Sequence, residues 1–402
     1  MTEAPLRSGL HFFTGRQDGP RYRNLTSTTP ISAPFADLQV GAHRLALLRD
    51  GEQAFPAMLR AIARAERTVC LETYILRSDR TGERFAEALA ERAAAGVEVN
   101  LLYDAWGSSV SAAYIADLRA AGVRTVAFRP FAVNTPFEKF ARRNHRKILV
   151  VDSYVGVTGG MNIADDYASP EDGGAGWRDT QLLLEGPAAA ELQYLFLRTW
   201  RRSGGPPLDD RRYGVEGRRA DPQVRIVGTG LPRRRRWVRD EYRHAIDRST
   251  RRLWITNAYF LPPLRMIHAI NEAARRGVDV RVMVAGTTDV PAVLFASRGI
   301  YGRMLKAGVK LYEWRGRVLH AKTAVIDGRW STVGSSNLDA QSLRKNLEVN
   351  AIVEDERFAA AVERMFLEDL GSCEEITEKQ WRKRSLLERA ASWTAYLARE
   401  WL

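Results

Sequence analysis

His145-Arg146-Lys147-Ile148-Leu149-Val150-Val151-Asp152 and His320-Ala321-Lys322-Thr323-Ala324-Val325-Ile326-Asp327 share the spacing His-x-Lys-x4-Asp, and their reading decides the fold. Each opens an apolar, β-branched run with the composition of a buried strand. The runs lead into Gly159-Gly160-Met161-Asn162 and Gly334-Ser335-Ser336-Asn337, whose first Gly stands 14 residues after the His in both cases. A pattern this long, occurring twice, marks a duplicated unit. In a strand, residues i and i+2 project from one face, so each His and its Lys are expected to point together toward one site.

Working outward, the duplication extends well beyond these segments. Residues 55–65 have apolar positions at helical spacing, 68–75 read as a strand, 84–95 as a helix ended by Gly96, and 97–103 as another strand. The same order returns at 242–247, 253–260, 266–276 with Gly277, and 278–284. Tyr74 aligns with Tyr259, Gly96 with Gly277 and Val99 with Val280, at offsets of 185, 181 and 181 residues. The expectation is an α/β fold made of two units of about 170 residues, joined near residue 210. Residues 1–37 read as a loosely ordered leader (Thr26-Ser27-Thr28-Thr29-Pro30), 38–205 as the first lobe, 206–222 as a linker, 223–372 as the second lobe and 373–402 as a C-terminal amphipathic helix.

A length of 402 residues exceeds what one hydrophobic core usually fills, which duplication explains. With 45% hydrophobic and 27% charged residues, wholesale disorder, collagen and coiled coil are excluded. The 61 Lys and Arg against 48 Asp and Glu give +13, a surplus that favours anionic partners. Only eight of the 61 are Lys, so the two at matched motif positions stand out. Cys70 and Cys373 are too few for a disulfide framework and lack zinc-site spacing, which fits a reducing compartment. The first thirty residues have no apolar signal segment, and no run of 18 apolar residues occurs, so contact with a membrane is expected to be peripheral.

The chemistry of the duplicated set suits a phosphate. Lys is a compact cation for a non-bridging oxygen, and a Gly-rich turn with an Asn amide supplies further donors. Metal binding is disfavoured because the partner at i+2 is a cation and no His-x-x-x-His or paired acidic cluster is present; no cofactor is expected. Two His without a metal suggest covalent catalysis, one imidazole attacking phosphorus while the other protonates the departing alcohol. Each then needs a carboxylate to fix its tautomer, and Asp179 and Glu348 stand 34 and 28 residues downstream of His145 and His320, at strand starts. Asp152 and Asp327 complete the motif, but they lie an odd number of residues from the Lys and so on the other face of the strand, where a structural salt bridge is expected.

The paired motifs with their trailing Gly-Gly-x-Asn and Gly-Ser-x-Asn resemble the phospholipase D superfamily. Leu71-Glu72-Thr73-Tyr74-Ile75-Leu76, Arg143-Asn144-His145-Arg146-Lys147, Gly308-Val309-Lys310-Leu311-Tyr312-Glu313 and Thr332-Val333-Gly334-Ser335-Ser336-Asn337-Leu338-Asp339 are similar to bacterial cardiolipin synthases without N-terminal membrane anchors. The resemblance covers about residues 38–370 and implies an α/β fold of two pseudo-symmetric phospholipase D-like α-β-α lobes with mixed sheets and one active site at their interface. It implies a catalytic set of His145, Lys147 and Asp152 with His320, Lys322 and Asp327. By the same resemblance Lys147, Asn162, Lys322 and Asn337 hold phosphate, and a phosphohistidine intermediate forms on His145, with His320 as general acid and then base. Gly160, where the second half has Ser335, removes one hydroxyl donor and keeps the turn.

Such folds process lipids and nucleic acids alike. Arg233-Arg234-Arg235-Arg236-Trp237 suits a nucleic-acid backbone or an anionic bilayer. Leu386, Ala390, Trp393, Leu397 and Trp401 form an apolar stripe flanked by Arg, which suits an interfacial helix, although such a terminal helix more often docks on its own domain, and Phe131, Phe137 and Phe140 suit an apolar lip. The expected function is a peripheral transphosphatidylase on the cytoplasmic face of a bacterial cell membrane. It transfers a phosphatidyl group from phosphatidylglycerol to a phospholipid alcohol, with an anionic membrane and phospholipids as partners. The rivals are a lipid-hydrolysing phospholipase D and a nuclease of the same superfamily.

Overall fold

In the computed structural model, which describes residues 32–130, 142–214, 221–229 and 238–397, the chain builds two eight-stranded sheets. The first contains β1 (Ala36–Val40), β2 (His43–Arg49), β3 (Thr68–Thr73), β4 (Glu98–Asp104), β5 (Arg124–Phe128), β6 (Ile148–Val151), β7 (Val155–Gly159) and β8 (Thr180–Glu185). The second contains β9 (Val224–Gly228), β10 (Arg252–Asn257), β11 (Asp279–Ala285), β12 (Lys310–Trp314), β13 (Lys322–Ile326), β14 (Trp330–Gly334), β15 (Val349–Glu354) and β16 (Cys373–Ile376). Their orders are β1-β2-β8-β7-β6-β3-β4-β5 and β16-β12-β11-β10-β13-β14-β15-β9. Without β1 and β16, which sit at opposite edges, the two sheets match strand for strand. In each, three strands are parallel (β3-β4-β5 and β10-β11-β12) and the rest antiparallel, which is the expected mixed sheet.

Local chemistry sets the element ends. Asp79 caps helix Arg80–Ala94 by accepting from the Gly82 amide at 2.9 Å, so this helix starts a turn earlier than its apolar spacing predicts. Gly96 and Gly277 follow the equivalent helices Arg80–Ala94 and Leu264–Arg275 with φ of 85° and 90°. A Cβ at either would meet nothing within 4 Å, so left-handed backbone rather than crowding selects glycine there.

Helix Ala189–Arg202 packs on β6 and β7, and helix Glu356–Leu370 on β13 and β14. Both belong to one core with the inner faces of both sheets, running from Val40 and Leu47 through Phe196 and Trp200 to Trp254 and Phe366. Trp254 stacks on Phe366 at 5.3 Å. The outer faces form two separate cores, each under its own helices. Parting the lobes would therefore open the shared core, in which truncating one large aromatic costs about 3–5 kcal/mol. Within the expected linker, the 3-10 turn Asp210–Tyr213 is pinned to the first lobe: the Tyr213 ring is buried, and its hydroxyl meets Glu98 Oε1 at 2.5 Å and Asn100 Nδ2 at 2.8 Å.

The C-terminal segment differs from the expected single helix over 373–402. It begins as β16, an edge strand paired with β12, and continues as helices Glu378–Arg382 and Leu386–Leu397. The last helix docks on its own lobe, Tyr396 and Ser392 being buried against helix Pro291–Lys306 at Gly299, where a Cβ would lie 2.7 Å from that of Tyr396. Ala390, on the expected membrane stripe, is exposed. The Trp393 side chain, Trp401, the leader, Phe131, Phe137, Phe140 and the Arg233–Trp237 tract lie outside the described residues.

Candidate active site

His145 and Lys147 precede β6, and His320 precedes β13, which itself begins at Lys322. The His residues are thus not strand residues as expected. Their backbones leave the sheet to bond across the lobes: the His145 amide donates to Leu347 O (2.9 Å) and the His320 amide to Arg178 O (2.7 Å). Each crossing ends beside an acid. Asp179 stands one residue before β8 and Glu348 one before β15.

The acids serve the opposite lobe. His145 Nδ1 lies 3.1 Å from Glu348 Oε1, and His320 Nδ1 lies 2.7 Å from Asp179 Oδ2. Nδ1 is thereby occupied on both rings, which leaves Nε2 as the free nitrogen. Asp179 and Glu348 are fully buried, and the two imidazoles nearly so. Ser335, the difference from Gly160, donates its hydroxyl to Glu348 rather than facing a substrate. At Gly160 a Cβ would sit 2.2 Å from Asp179 Oδ1, so the shorter acid and the glycine fit together.

Lys147 and Lys322 each donate to the carbonyl of their own His, Lys147 at 2.7 Å. Burial pulls Lys147 down to about 7 and Lys322 to about 8 from the ordinary 10.5. Burial and then Lys147 lower His145, with Lys322 of the other lobe adding to the effect; burial and Lys322 lower His320, with Lys147 adding in turn. Each lysine thus acts on both imidazoles, so the two half-sites form one electrostatic site. Burial opposes it, but His320 and Lys322 hold Asp179 below its usual value.

Several expected site residues have other duties. Asp152 lies at the far end of β6, at φ 51°, and accepts from the amides of Glu66, Arg67 and Thr68 at 2.8–2.9 Å. Asp327, at φ 54° beyond β13, accepts from Thr250, Arg251 and Arg252 at 2.7–2.9 Å. Neither belongs with the imidazoles, and neither makes the expected salt bridge among the described residues: each carboxylate caps three amides at the entry to the neighbouring strand. Asn162 is buried, accepting from the Ile75 amide at 3.0 Å and donating to Tyr167 OH at 2.7 Å. Asn337 is also buried, and its Oδ1 has no partner among the described residues.

Four aromatic rings complete the walls. Tyr74 lies 4.7 Å from the His145 ring and 5.2 Å from Lys147 Nζ. Tyr167, Trp177 and Tyr259 surround His320 at 5.4, 5.9 and 6.3 Å. Two arginines beside the catalytic-type residues lock the lobes. Arg178 binds Asp369 Oδ2 at 2.7 Å, and Arg146 binds Thr199 Oγ1 at 2.9 Å and Thr229 O at 2.6 Å. Sequence reasoning assigned these six residues no role, although the Tyr74–Tyr259 alignment and the position of Arg146 inside the motif were available signals. Among the described residues no group of three or more His, Cys, Asp or Glu is gathered to hold a metal ion.

Comparison with known proteins agrees with this geometry. The family model described as "Cardiolipin synthase, PLD-like domain" matches residues 58–195 and 242–370, once in each lobe. The chain is 36% identical over 349 residues to a cardiolipin synthase of Geobacillus thermodenitrificans, covering 85% of this chain and 69% of that one. It is 35% identical over 351 residues to cardiolipin synthase B of Salmonella typhi, covering 85% and 84%. In structure it is similar to a phosphatidylserine synthase of Haemophilus influenzae (TM-score 0.71, 14% identity, 92% of this chain and 97% of that one), a likeness of fold. Two lobes of one design, each giving an imidazole, a lysine and the other lobe's carboxylate, and each matched by the same family model, place the chain in the cardiolipin synthase family of phospholipase D-like proteins.

Proposed function

We propose that the protein is a cardiolipin synthase-type transphosphatidylase, acting through the two crossed His–carboxylate pairs and the two lysines between them. The observation that carries this reading is the pairing itself: both imidazoles have Nδ1 held by a buried acid, which leaves Nε2 for the chemistry. His145 is assigned as nucleophile. Burial and Lys147 favour its neutral form, which attack requires. Its Nε2 attacks the phosphorus of phosphatidylglycerol, the bond from phosphorus to the glycerol oxygen breaks, and His320 gives its proton to the departing glycerol. The hydroxyl of a second phospholipid then attacks the phosphohistidine, His320 takes the hydroxyl proton, and the P–N bond breaks. A phosphodiester anion between Lys147 and Lys322 offsets their cationic field, raising the proton affinity of His320 to what the first step needs. Asp179 and Glu348 stabilise the charged imidazoles, and Asn337 is assigned with the lysines to the phosphate. Asn162, expected there too, is better suited to positioning Tyr167.

Peripheral attachment to an anionic bilayer at its cytoplasmic face belongs to the same proposal. No described helix is long and apolar enough to cross a membrane. Trp106, Leu264, Val290 and Phe295 are 60%, 51%, 38% and 47% exposed, on segments that follow the carboxyl ends of β4, β10 and β11. Gly107, beside Trp106, abuts Tyr74, and Asp289, beside Val290, accepts from Tyr259 OH, so Trp106 and Val290 adjoin the rings that touch His145 and His320. An apolar rim on a basic protein suits a surface that offers phospholipid headgroups.

The test is incubation of purified protein with phosphatidylglycerol liposomes, with and without phosphatidylethanolamine, followed by mass spectrometry. Cardiolipin with release of glycerol is expected. Phosphatidic acid alone would assign hydrolysis instead, and cleavage of single-stranded or duplex DNA that His145→Ala and His320→Ala both abolish would assign a nuclease.

A further inference from the structure

Behind the His145 segment lies a cavity of about 270 Å³ that the catalytic scheme does not use. Five arginines line it, Arg129, Arg142, Arg146, Arg198 and Arg202, with no Asp or Glu among the described lining residues. Two of its lining residues adjoin active-site residues in the chain. Arg146 follows His145 in the chain, and Leu347 both precedes Glu348 and accepts the His145 amide hydrogen bond at 2.9 Å. Consecutive residues are 3.8 Å apart at Cα, so the cavity begins about one residue from the imidazole–carboxylate pair.

Gathering like charges under partial burial is costly unless an anion joins them. Burial and then neighbouring guanidinium groups lower the proton affinity of Arg129 and Arg142, with Asp104 opposing at Arg129; burial lowers Arg146 too, but there Glu72 and Glu348 oppose it more than Arg198 and Arg202 add. Among the described residues, Arg198 Nη1 and Arg142 Nε are buried without a hydrogen-bond partner. Arg146, by contrast, is fixed by Thr199 and the Thr229 carbonyl, and Arg129 donates to the Arg142 carbonyl at 2.7 Å, so the cavity has fixed guanidinium groups beside the less constrained Arg142 and Arg198. Guanidinium groups with free N–H edges match the oxygens of a phosphate.

We infer that this cavity holds the phosphate of the acceptor lipid. The inference rests on the transfer reaction proposed above. There the donor phosphate lies between Lys147 and Lys322, and the acceptor hydroxyl must approach the same phosphorus. In phosphatidylglycerol that hydroxyl is joined to its own phosphate through three carbons. The second phosphate keeps its charge throughout, and it must be held a few ångströms from the first. Cations set apart from the lysine pair offset the repulsion between the two, and they do so only for an acceptor that carries a phosphate. Water and free glycerol gain nothing, so the cluster favours transfer to a lipid over both.

The test compares phosphatidyl transfer from phosphatidylglycerol to a second phosphatidylglycerol with transfer to labelled glycerol, in wild type and in Arg198→Gln/Arg202→Gln. The ratio of lipid transfer to glycerol exchange is expected to fall at least ten-fold, through KM for the lipid acceptor. Arg198→Lys/Arg202→Lys, which keeps the charges, is expected to restore most of the ratio. An unchanged ratio, or a proportional loss of both activities, overturns the assignment. Inorganic phosphate separates the two sources of such an anion. Inhibition competitive with the lipid acceptor, and weakened in the double Gln variant, supports it; inhibition of that kind without any change in the acceptor ratio makes the cavity a free-phosphate site and overturns the lipid role. Wild-type protein that forms no cardiolipin overturns the transfer reaction itself, and that failure is visible before any variant is assayed.

Discussion

Lys147→Met is expected to stabilise the protein while abolishing transfer. Its ammonium is fully buried and its pKa is drawn from 10.5 to about 7. Each factor of ten in proton affinity corresponds to about 1.36 kcal/mol, so keeping this group buried costs the folded state roughly 4 kcal/mol at pH 7. Methionine preserves the aliphatic stem and forfeits the 2.7 Å hydrogen bond to the His145 carbonyl, worth about 1 kcal/mol, which leaves a net gain of roughly 3 kcal/mol. If all 402 residues melt as one unit, that is a rise in Tm of about 4 °C. Because the folded-state pKa lies below the unfolded one, wild-type stability from this group is lost as pH falls from 10.5 toward 7. The advantage of the variant is therefore full at pH 7 and below, and at pH 9.5 the cost it removes has shrunk to about 1 kcal/mol, so the two melting curves converge. Calorimetry of both proteins at pH 7 and 9.5, with cardiolipin formation assayed alongside, measures this. A variant less stable than wild type at pH 7, or a difference that does not change with pH, would refute the reasoning that the site stores the cost of a buried cation.

Glu348→Gln and Asp179→Asn should each lower kcat by on the order of 10³–10⁴, as expected when an imidazole loses the acid that fixes its tautomer. Imidazole ¹⁵N NMR should show Glu348→Gln perturbing His145 and Asp179→Asn perturbing His320; the reverse assignment would contradict the crossed pairing. Asp327→Ala should leave kcat near wild type and lower stability by about 1–3 kcal/mol through three amides losing their acceptor. Since those amides hold the Asp327 pKa below its usual value, its contribution is present above about pH 4 and lost as pH falls further, so the variant's deficit in Tm should narrow in acid. Trp106→Asp with Val290→Asp should weaken sedimentation with anionic vesicles by ten-fold or more while turnover of a short-chain, micelle-free lipid persists; undiminished vesicle binding would remove the apolar rim from the docking surface.

The sequence by itself determined what depends on local spacing. Two copies of His-x-Lys-x4-Asp, the helix-ending Gly96 and Gly277, and the apolar runs at Ile148 and Thr323 specify two lobes of one design, because strand and helix periods are written in adjacent residues. Asp179 and Glu348 were legible as acids at matched places. Their partners were not, since the bonds that matter join residues 141 and 203 positions apart, and which lobe's acid meets which imidazole depends on how the lobes pack. Face counting rightly set Asp152 and Asp327 away from the chemistry but could not show that backbone amides, rather than a basic side chain, receive them.

The C-terminal stripe left two readings open for a related reason. Helical spacing identifies an apolar face, and only the packing of Tyr396 against Gly299 shows that the helix lies on its own lobe. The Arg cavity belongs wholly to the tertiary structure. Its arginines come from three separated stretches of a chain that uses Arg throughout, and nothing marks them in sequence until helix Ala189–Arg202 and the His145 segment bring them around one space. Duplicated chemistry is a property of the chain, whereas the crossed pairing and the second cationic site exist only where the two lobes meet.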